Sequence, residues 1–145
     1  MKVLCLGGGP AGLAAGDFND DGVKDMAVAL SYGFGLPTIG SIATLLGQGD
    51  GTFLLASSVA VGGAPAAVVV GDFNPDGLPD LAVANQESNT VAILLGQGNG
   101  AFELTHNFLV GVDPRAVVVA DFDADGLLDV AVAKPLPDLR ARDLG

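Results

Sequence analysis

Three nine-residue acidic segments carry the side chains of this sequence that are best suited to chemistry. They read DFNDDGVKD from Asp17, DFNPDGLPD from Asp72 and DFDADGLLD from Asp121. Each fits the pattern D-x-[DN]-x-D-G-x-x-D, so that alternate residues can point their oxygens at one centre, while the glycine permits the sharp bend. Calcium takes about six to eight oxygen ligands in a flexible cage. The pattern therefore predicts three calcium-binding loops.

Each loop offers four side chains and one backbone carbonyl as ligands, and water would complete the shell. The predicted metal ligands are Asp17, Asn19, Asp21, Val23 (carbonyl) and Asp25; Asp72, Asn74, Asp76, Leu78 (carbonyl) and Asp80; and Asp121, Asp123, Asp125, Leu127 (carbonyl) and Asp129. The third loop has four carboxylates and the others have three, so we expect it to bind calcium most tightly. No histidine or cysteine lies near the loops, which disfavours zinc.

The loop pattern has two other interpretations. An EF-hand needs a glutamate at loop position 12 and helical flanks, but position 12 is Val28, Val83 or Val132 and the flanks are strand-like. An acidic turn without metal is the simpler alternative, because Asp and Asn are common in turns. Three copies in the same local context favour the metal.

The spacing of the loops defines an internal repeat. Their starts are 55 and 49 residues apart, and the matching segments LLGQGDGTF and LLGQGNGAF, from Leu45 and Leu94, are again 49 apart. The six extra residues of the first unit therefore lie near Ser31 to Ser41. A proline stands seven residues before each loop, at Pro10, Pro65 and Pro114. Self-similarity at about 50 residues indicates a solenoid, a propeller or an array.

Each unit reads as four short apolar strands, and no segment has a helical period over helical length. Asp50-Gly51 and Asn99-Gly100 resemble two-residue hairpin turns, in which both residues need positive φ. Four antiparallel strands per repeat predict an all-β fold built from β-propeller blades. We place the blades within 1–134, as units of about 10–64, 65–113 and a partial 114–134, followed by a tail at 135–145. Residues 1–7 resemble an outer strand of another blade.

The chain holds only about two and a half to three blades, whereas propellers close with about four to eight. An open arc would expose apolar faces and unpaired strand edges. We therefore expect either a fragment of a larger propeller or self-association that completes the ring, with a two-chain ring as the simplest case.

The composition of the chain limits the classes of partner that we expect it to bind. The net charge is −11, which disfavours nucleic acid, and 11 of the 17 acidic residues belong to the three loops. Three divalent ions would reduce the charge to about −5 and relieve repulsion among the loops. The apolar runs are too short and too rich in glycine for a membrane span. Cys5 is the only cysteine, so no intrachain disulfide forms, and Met1 to Ala15 makes a poor signal peptide.

Val61 to Phe102, VGGAPAAVVVGDFNPDGLPDLAVANQESNTVAILLGQGNGAF, resembles an FG-GAP/VCBS repeat of the integrin α-subunit propeller type. The resemblance covers about residues 8–133. It implies a blade with a calcium site between its first and second strands, mainly structural, and ligand binding by other loops. It implies no single activity, since relatives serve in adhesion, as lectins, and as accessory regions of secreted hydrolases and lyases.

A competing motif lies at the N-terminus, where Gly7, Gly9 and Gly12 form G-x-G-x-x-G after a short apolar run. That pattern opens FAD- or NAD-binding domains. The acidic loop from Asp17 would interrupt the phosphate-binding helix, and no βαβ unit follows, so a turn between blades is the favoured interpretation. His106, Ser57 and Ser58 lack any catalytic context.

We therefore expect an extracellular or secreted calcium-binding propeller module that acts in binding, adhesion or scaffolding and is not an enzyme. Its ligand would be a protein or a carbohydrate. Tyr32 and Phe34, in the six-residue insertion, are the best candidates for a partner contact, because binding residues concentrate in loops. The accessory propeller of a hydrolase or lyase, and the nucleotide-binding fragment, are the alternatives.

Overall fold

The computed structural model describes residues 9–31 and 39–135, and all of their regular structure is β-strand. The ten strands are β1 (Pro10–Gly16), β2 (Asp25–Leu30), β3 (Gly40–Gly47), β4 (Phe53–Gly62), β5 (Pro65–Gly71), β6 (Asp80–Asn85), β7 (Thr90–Gly96), β8 (Phe102–Leu109), β9 (Ala116–Ala120) and β10 (Asp129–Ala133). The predicted all-β fold is confirmed.

The strands form three antiparallel sheets, each in chain order. The first blade is β1-β2-β3-β4, the second blade is β5-β6-β7-β8, and β9 with β10 makes a half blade. No sheet closes into a barrel within the described residues. The arrangement is that of partial propeller blades, in which each acidic loop joins the first strand of a sheet to the second.

The first and second blades pack face to face through alternating side chains. Because the side-chain period of a strand is two, each sheet presents two sets of residues. The first blade contributes small residues such as Ala27 and Ala29, and the second blade contributes Leu81, Val83 and Leu94, all in one buried cluster. Small and large side chains from both faces therefore interdigitate closely.

The opposite face of the second blade packs on the half blade in the same way. Ala82 and Ala84 of β6 share a cluster with Val117 of β9, against which Val130 and Val132 of β10 also pack. The half blade therefore occupies the position, relative to the second blade, that the second blade occupies relative to the first.

The hairpin turns differ from the two-residue turns expected from sequence. Five residues separate β3 from β4, with Gln48 donating its N–H to the Thr52 carbonyl at 3.0 Å. Positive φ falls on Gly49 (+78°) and Gly51 (+84°), not on Asp50, and Gly98 and Gly100 repeat this pattern around Asn99. The expectation was wrong because a second glycine, two residues earlier, supplies the left-handed conformation and lengthens the turn.

Gly12 belongs to β1 and not to the start of a helix, and Gly9, the other described glycine of the motif, precedes that strand with φ of +66°. A Cβ at Gly12 would lie 3.2 Å from the Ala67 Cα, so glycine permits close approach of β1 to the second blade. The expected outer strand at 1–7, the insertion residues Tyr32 and Phe34, and tail residues 136–145 lie outside the described residues.

Candidate metal centre

The first aspartate of each acidic loop accepts two backbone hydrogen bonds that close the loop. Asp17 accepts from the N–H of Asp21 at 3.2 Å through Oδ1 and from the N–H of Gly22 at 2.8 Å through Oδ2. Asp72 and Asp121 accept from the corresponding residues of their loops at 2.9–3.2 Å. The same frame is therefore built three times from local contacts.

The third and fifth positions complete this frame. Asn19 accepts the Asp21 N–H at 3.3 Å through Oδ1 and donates its amide to Asp21 Oδ2 at 2.8 Å, and Asn74 repeats both contacts with Asp76. Asp123 accepts the Asp125 N–H at 3.1 Å but has no amide to donate. The fifth-position aspartates accept, at 2.8 Å, the N–H groups of Val23, Leu78 and Leu127, whose carbonyls are the predicted backbone ligands.

The loop glycines have the left-handed conformation that the sharp bend in the sequence pattern predicts. Gly22, Gly77 and Gly126 have φ of +81°, +84° and +91°, and a Cβ at any of them would meet no atom within 4 Å. The glycine is needed for its backbone angle and not for space. Asp20 and Ala124, at the fourth position, are also left-handed, with φ of 59° and 63°, which the sequence pattern did not indicate.

The last aspartate of the first two loops ties the loop to the third strand of its blade. Asp25 is fully buried and accepts the Phe18 N–H through Oδ2 and the Gly47 N–H through Oδ1, both at 2.8 Å. Asp80 accepts the Phe73 and Gly96 N–H groups in the same way.

Burial raises the pKa of the Asp80 carboxyl. The two backbone hydrogen bonds act in the opposite direction, and the neighbouring Asp76 and Asp72 charges raise the pKa further. Burial therefore disfavours the charged form of Asp80, and the two backbone donors offset part of that cost.

Sequence reasoning missed the role of Gly47 and Gly96. The signal was present, because LLG stands at corresponding positions in both units. A Cβ at either glycine would lie only 2.2–2.3 Å from a backbone oxygen, of Lys24 or Pro79, so the close approach that brings their N–H groups to the aspartates excludes a side chain.

Asp129, the last aspartate of the third loop, keeps only part of this arrangement. The Phe122 N–H donates to its Oδ2 at 3.0 Å, and no described residue donates to its Oδ1. Asp129 is half-buried, whereas Asp25 and Asp80 are fully buried.

The third loop brings carboxylates together. One oxygen each from Asp121, Asp123 and Asp129 lies within 4.8 Å of the others, and this is the only group of three or more potential acidic, histidine or cysteine ligands among the described residues. Asp125 is outside the group. In the first two loops asparagine occupies the third position, and their carboxylates alone form no such group.

The other residues considered for chemistry lie apart from the loops. His106 is exposed on β8 and stacks on Phe108 with ring centroids 5.6 Å apart. Cys5 lies outside the described residues. The part of the chain that the structure describes contains no helix of the length and apolar character that a membrane crossing requires.

Comparison with known proteins agrees with this architecture. Residues 72–132, from the second acidic loop into β10, match the family model described as FG-GAP-like repeat. No curated protein matches the chain. The fold and the loops define a β-propeller-like repeat module, and its segment 72–132 is similar to the FG-GAP-like repeat.

Proposed function

We propose that this protein is a calcium-stabilised β-propeller module whose three acidic loops each bind one ion. The observation that carries the proposal is the convergence of Asp121, Asp123 and Asp129 on a point that all three carboxylates can reach. Like charges held this close repel one another unless a cation lies between them. The donors are all hard oxygens, which suit calcium better than transition metals.

The hydrogen-bond frame supports the same role in the first two loops. Asp17, Asn19 and Asp21 are held at alternate positions of a closed turn, and Asp25 is fixed at its end by two backbone donors. The carbonyl of Val23 would add a fifth protein ligand. A loop with ligands already positioned loses little conformational entropy when it binds an ion.

Thermal unfolding of the whole chain in calcium and in EGTA tests this proposal. Extracellular modules bind calcium with dissociation constants of about 10⁻⁴–10⁻³ M, and a tenfold excess of free calcium would stabilise the fold by roughly 1.4 kcal/mol per site. We expect the midpoint to rise by several degrees. Magnesium at equal concentration controls for ionic strength.

A matched pair of variants locates the effect. Replacing Asp21, Asp76 and Asp125 together with asparagine should abolish most of the calcium response. Glu103→Gln, which changes an exposed carboxylate of β8 outside the loops, should leave the response intact. An unfolding midpoint that is the same in calcium and EGTA for the unaltered chain would refute the metal proposal.

We further propose an extracellular or secreted role in binding, adhesion or scaffolding, with a protein or carbohydrate ligand and with self-association that completes the ring. The exposed surface of the half blade supports the self-association, because within the described residues Val118 and Phe122 are 56% and 59% accessible. Light scattering of the pure protein tests it, and a well-dispersed monomer is the contrary result.

A further inference from the structure

Asn99-Gly100 is the only asparagine–glycine pair in the sequence, and it lies in the hairpin turn between β7 and β8. Such a pair is chemically labile, because glycine has no side chain to hinder attack of its nitrogen on the asparagine side chain. Asn99 is exposed, whereas Gly100 is buried. A Cβ at Gly100 would lie 2.8 Å from Leu46 Cδ2 of the first blade, so the hairpin needs glycine where it meets that blade.

Both backbone groups of Gly100 bind the first blade. The Gly100 N–H donates to the Phe18 carbonyl at 2.8 Å, and the Gly100 carbonyl accepts the Ser57 hydroxyl at 3.2 Å. The Asn99 side chain is also held, because its Oδ1 accepts the Ala101 N–H at 3.0 Å. The nitrogen that would attack Asn99 is therefore already engaged with the first acidic loop.

Deamidation of Asn99 would consume the Gly100 N–H. The Gly100 nitrogen gives up its proton and forms a bond to Asn99 Cγ, and the side-chain nitrogen takes a proton from solvent and leaves as ammonia, so that a cyclic imide results. Water then hydrolyses one of the two imide carbonyls. Opening at the main-chain carbonyl gives isoaspartate, in which the main chain runs through Cγ, and opening at the other gives aspartate. Because the imide nitrogen carries no hydrogen, the bond from Gly100 to Phe18 has to break before the ring forms.

The two products differ in how they fit this turn, and the first blade shows that aspartate fits. Asp50 occupies the corresponding position, and its Oδ1 accepts the N–H two residues further on at 2.8 Å, as Asn99 Oδ1 does at 3.0 Å. Gly51 and Gly100 have the same φ of +84°. Isoaspartate inserts a methylene group into the main chain before Gly100, and it therefore displaces both groups by which Gly100 binds the first blade.

We propose that Asn99 is a site of spontaneous deamidation whose rate is set by release of the β7–β8 hairpin from the first acidic loop, and that its isoaspartate product weakens the contact between the two blades. While the hairpin is packed, the Gly100 nitrogen is hydrogen-bonded and buried. Local opening frees it, and the same opening allows hydrogen exchange of the Gly100 N–H. This inference goes beyond the proposed function and needs no metal.

Incubation of the full chain at mildly alkaline pH, either folded or in urea, tests the proposal. Peptide mass spectrometry measures the conversion of Asn99, and fragmentation distinguishes aspartate from isoaspartate. All samples contain EGTA, so that failure of the calcium proposal does not affect the result. We expect conversion in the folded chain that is at least tenfold slower than in urea. Equal rates in the folded and unfolded chain, or no conversion in the folded chain, would overturn the proposal.

Two adjacent serines of β4 provide matched variants. Ser57→Ala removes the donor to the Gly100 carbonyl and should speed both the conversion of Asn99 and the exchange of the Gly100 N–H about fivefold, which corresponds to about 1 kcal/mol. Ser58→Ala, at an exposed position, should change both rates less than twofold. In urea the two variants and the unaltered chain should react at the same rate. Equal effects of the two variants on the folded chain would contradict the role of the hairpin.

The consequence of the modification is tested with its two products. The isoaspartate form, separated from the aspartate form by ion exchange, should show exchange of the Gly100 N–H at least tenfold faster than the unaltered chain. Asn99→Asp reproduces the aspartate product and should stay within about twofold. Unchanged exchange in the isoaspartate form would refute the weakening of the contact between the blades.

Discussion

The first and third acidic loops have nearly the same local hydrogen bonds but very different surroundings. Phe18, the second residue of the first loop, is 2% exposed, whereas Phe122, its counterpart in the third loop, is 59% exposed. Both donate their N–H to the last aspartate of the loop, at 2.8 Å and 3.0 Å. The loop conformation is therefore local, and its burial depends on the neighbouring blade.

The contacts that bury the first loop come from the hairpin between β7 and β8. The Phe18 ring meets Phe102 edge-on with centroids 5.2 Å apart, and the Gly100 N–H donates to the Phe18 carbonyl at 2.8 Å. Ser57 Oγ donates to the Gly100 carbonyl at 3.2 Å, which ties β4 to the same turn. Within the described residues the half blade supplies no third or fourth strand, so the second loop lacks an equivalent hairpin above it.

Each of the two loops has one of two properties that favour cation binding, and neither loop has both. The third loop has converging carboxylates, and the first has a buried aspartate held by two backbone donors. Convergence concentrates negative charge, while burial strengthens each electrostatic interaction.

The largest expected effect is on packing. Phe18→Ala removes a buried ring and should lower the free energy of unfolding by about 3–5 kcal/mol. Phe122→Ala truncates a mostly exposed ring and should change it by less than about 0.5 kcal/mol. Urea unfolding of both variants in EGTA measures the difference. Equal losses would mean that the third loop is covered in solution, for example by a second subunit.

The next largest effect is the difference in stability loss between replacing the buried Asp80 and replacing the half-buried Asp129. Asp80→Ala leaves the Phe73 and Gly96 N–H groups without their acceptor, and each unpaired buried group costs about 1–3 kcal/mol. We expect a loss near 3 kcal/mol, reduced by the removal of a desolvated charge. Asp129→Ala removes one exposed contact and should cost about 1 kcal/mol. The measurement is urea unfolding in EGTA, where calcium contributes nothing, and a larger loss for Asp129→Ala would contradict the assignment.

Sequence reasoning captured features encoded over a few residues. Short apolar runs bounded by prolines and by the acidic loops predicted strands, and the positions of Asp, Asn and Gly predicted closed loops with a left-handed glycine. It missed the hydrogen bonds from Gly47 and Gly96, because they join residues 22 and 16 positions apart, and the link depends on strand pairing. It also could not indicate which carboxylates converge. Asp125 accepts the Leu127 N–H and lies outside the group, whereas Asp123, which has no side-chain amide to donate to Asp125, lies within it.

A third effect concerns calcium affinity. If the number of carboxylates sets the affinity, Asn74→Asp should strengthen binding at the second loop about tenfold, and Asp123→Asn should weaken it at the third by the same factor, which corresponds to about 1.4 kcal/mol. Calcium titrations followed by the NMR signals of the Gly77 and Gly126 backbone amides measure the affinity of the second and third loops separately. Asp20→Asn is the control, because it removes a charge from the first loop at a position that is not a predicted ligand. The calcium affinity of the first loop in this variant, followed by the amide signal of Gly22, should stay within about twofold of the unaltered chain. If Asn74→Asp does not tighten the second loop, burial outweighs charge.

The smallest expected effect lies at the two junctions between blades. Asp113, which precedes the half blade, has φ of 61° and accepts hydrogen bonds from Arg115 Nε and Nη2 at 3.0 Å and 2.7 Å. Ala64, which precedes the second blade, has a similar φ of 48° but no side-chain charge. The Arg115 guanidinium lowers the pKa of the Asp113 carboxyl. Because the folded-state pKa lies below the unfolded one, the resulting stabilisation is present above the unfolded pKa and is lost as pH falls through the folded pKa.

Arg115→Gln should therefore raise the pKa of Asp113 toward its ordinary value and slightly reduce stability at neutral pH, with no difference from the unaltered chain in acid below both pKa values. Carboxyl carbon shifts across an acid titration measure the pKa. At the first junction Ala64 adopts the same left-handed bend without an ion pair, so the bend at Asp113 should survive in the variant. The backbone N–H of residue 115 donates to the Ala133 carbonyl at 2.9 Å, and this N–H should remain protected from hydrogen exchange. Loss of that protection would mean that the ion pair, and not strand pairing, holds the half blade in place.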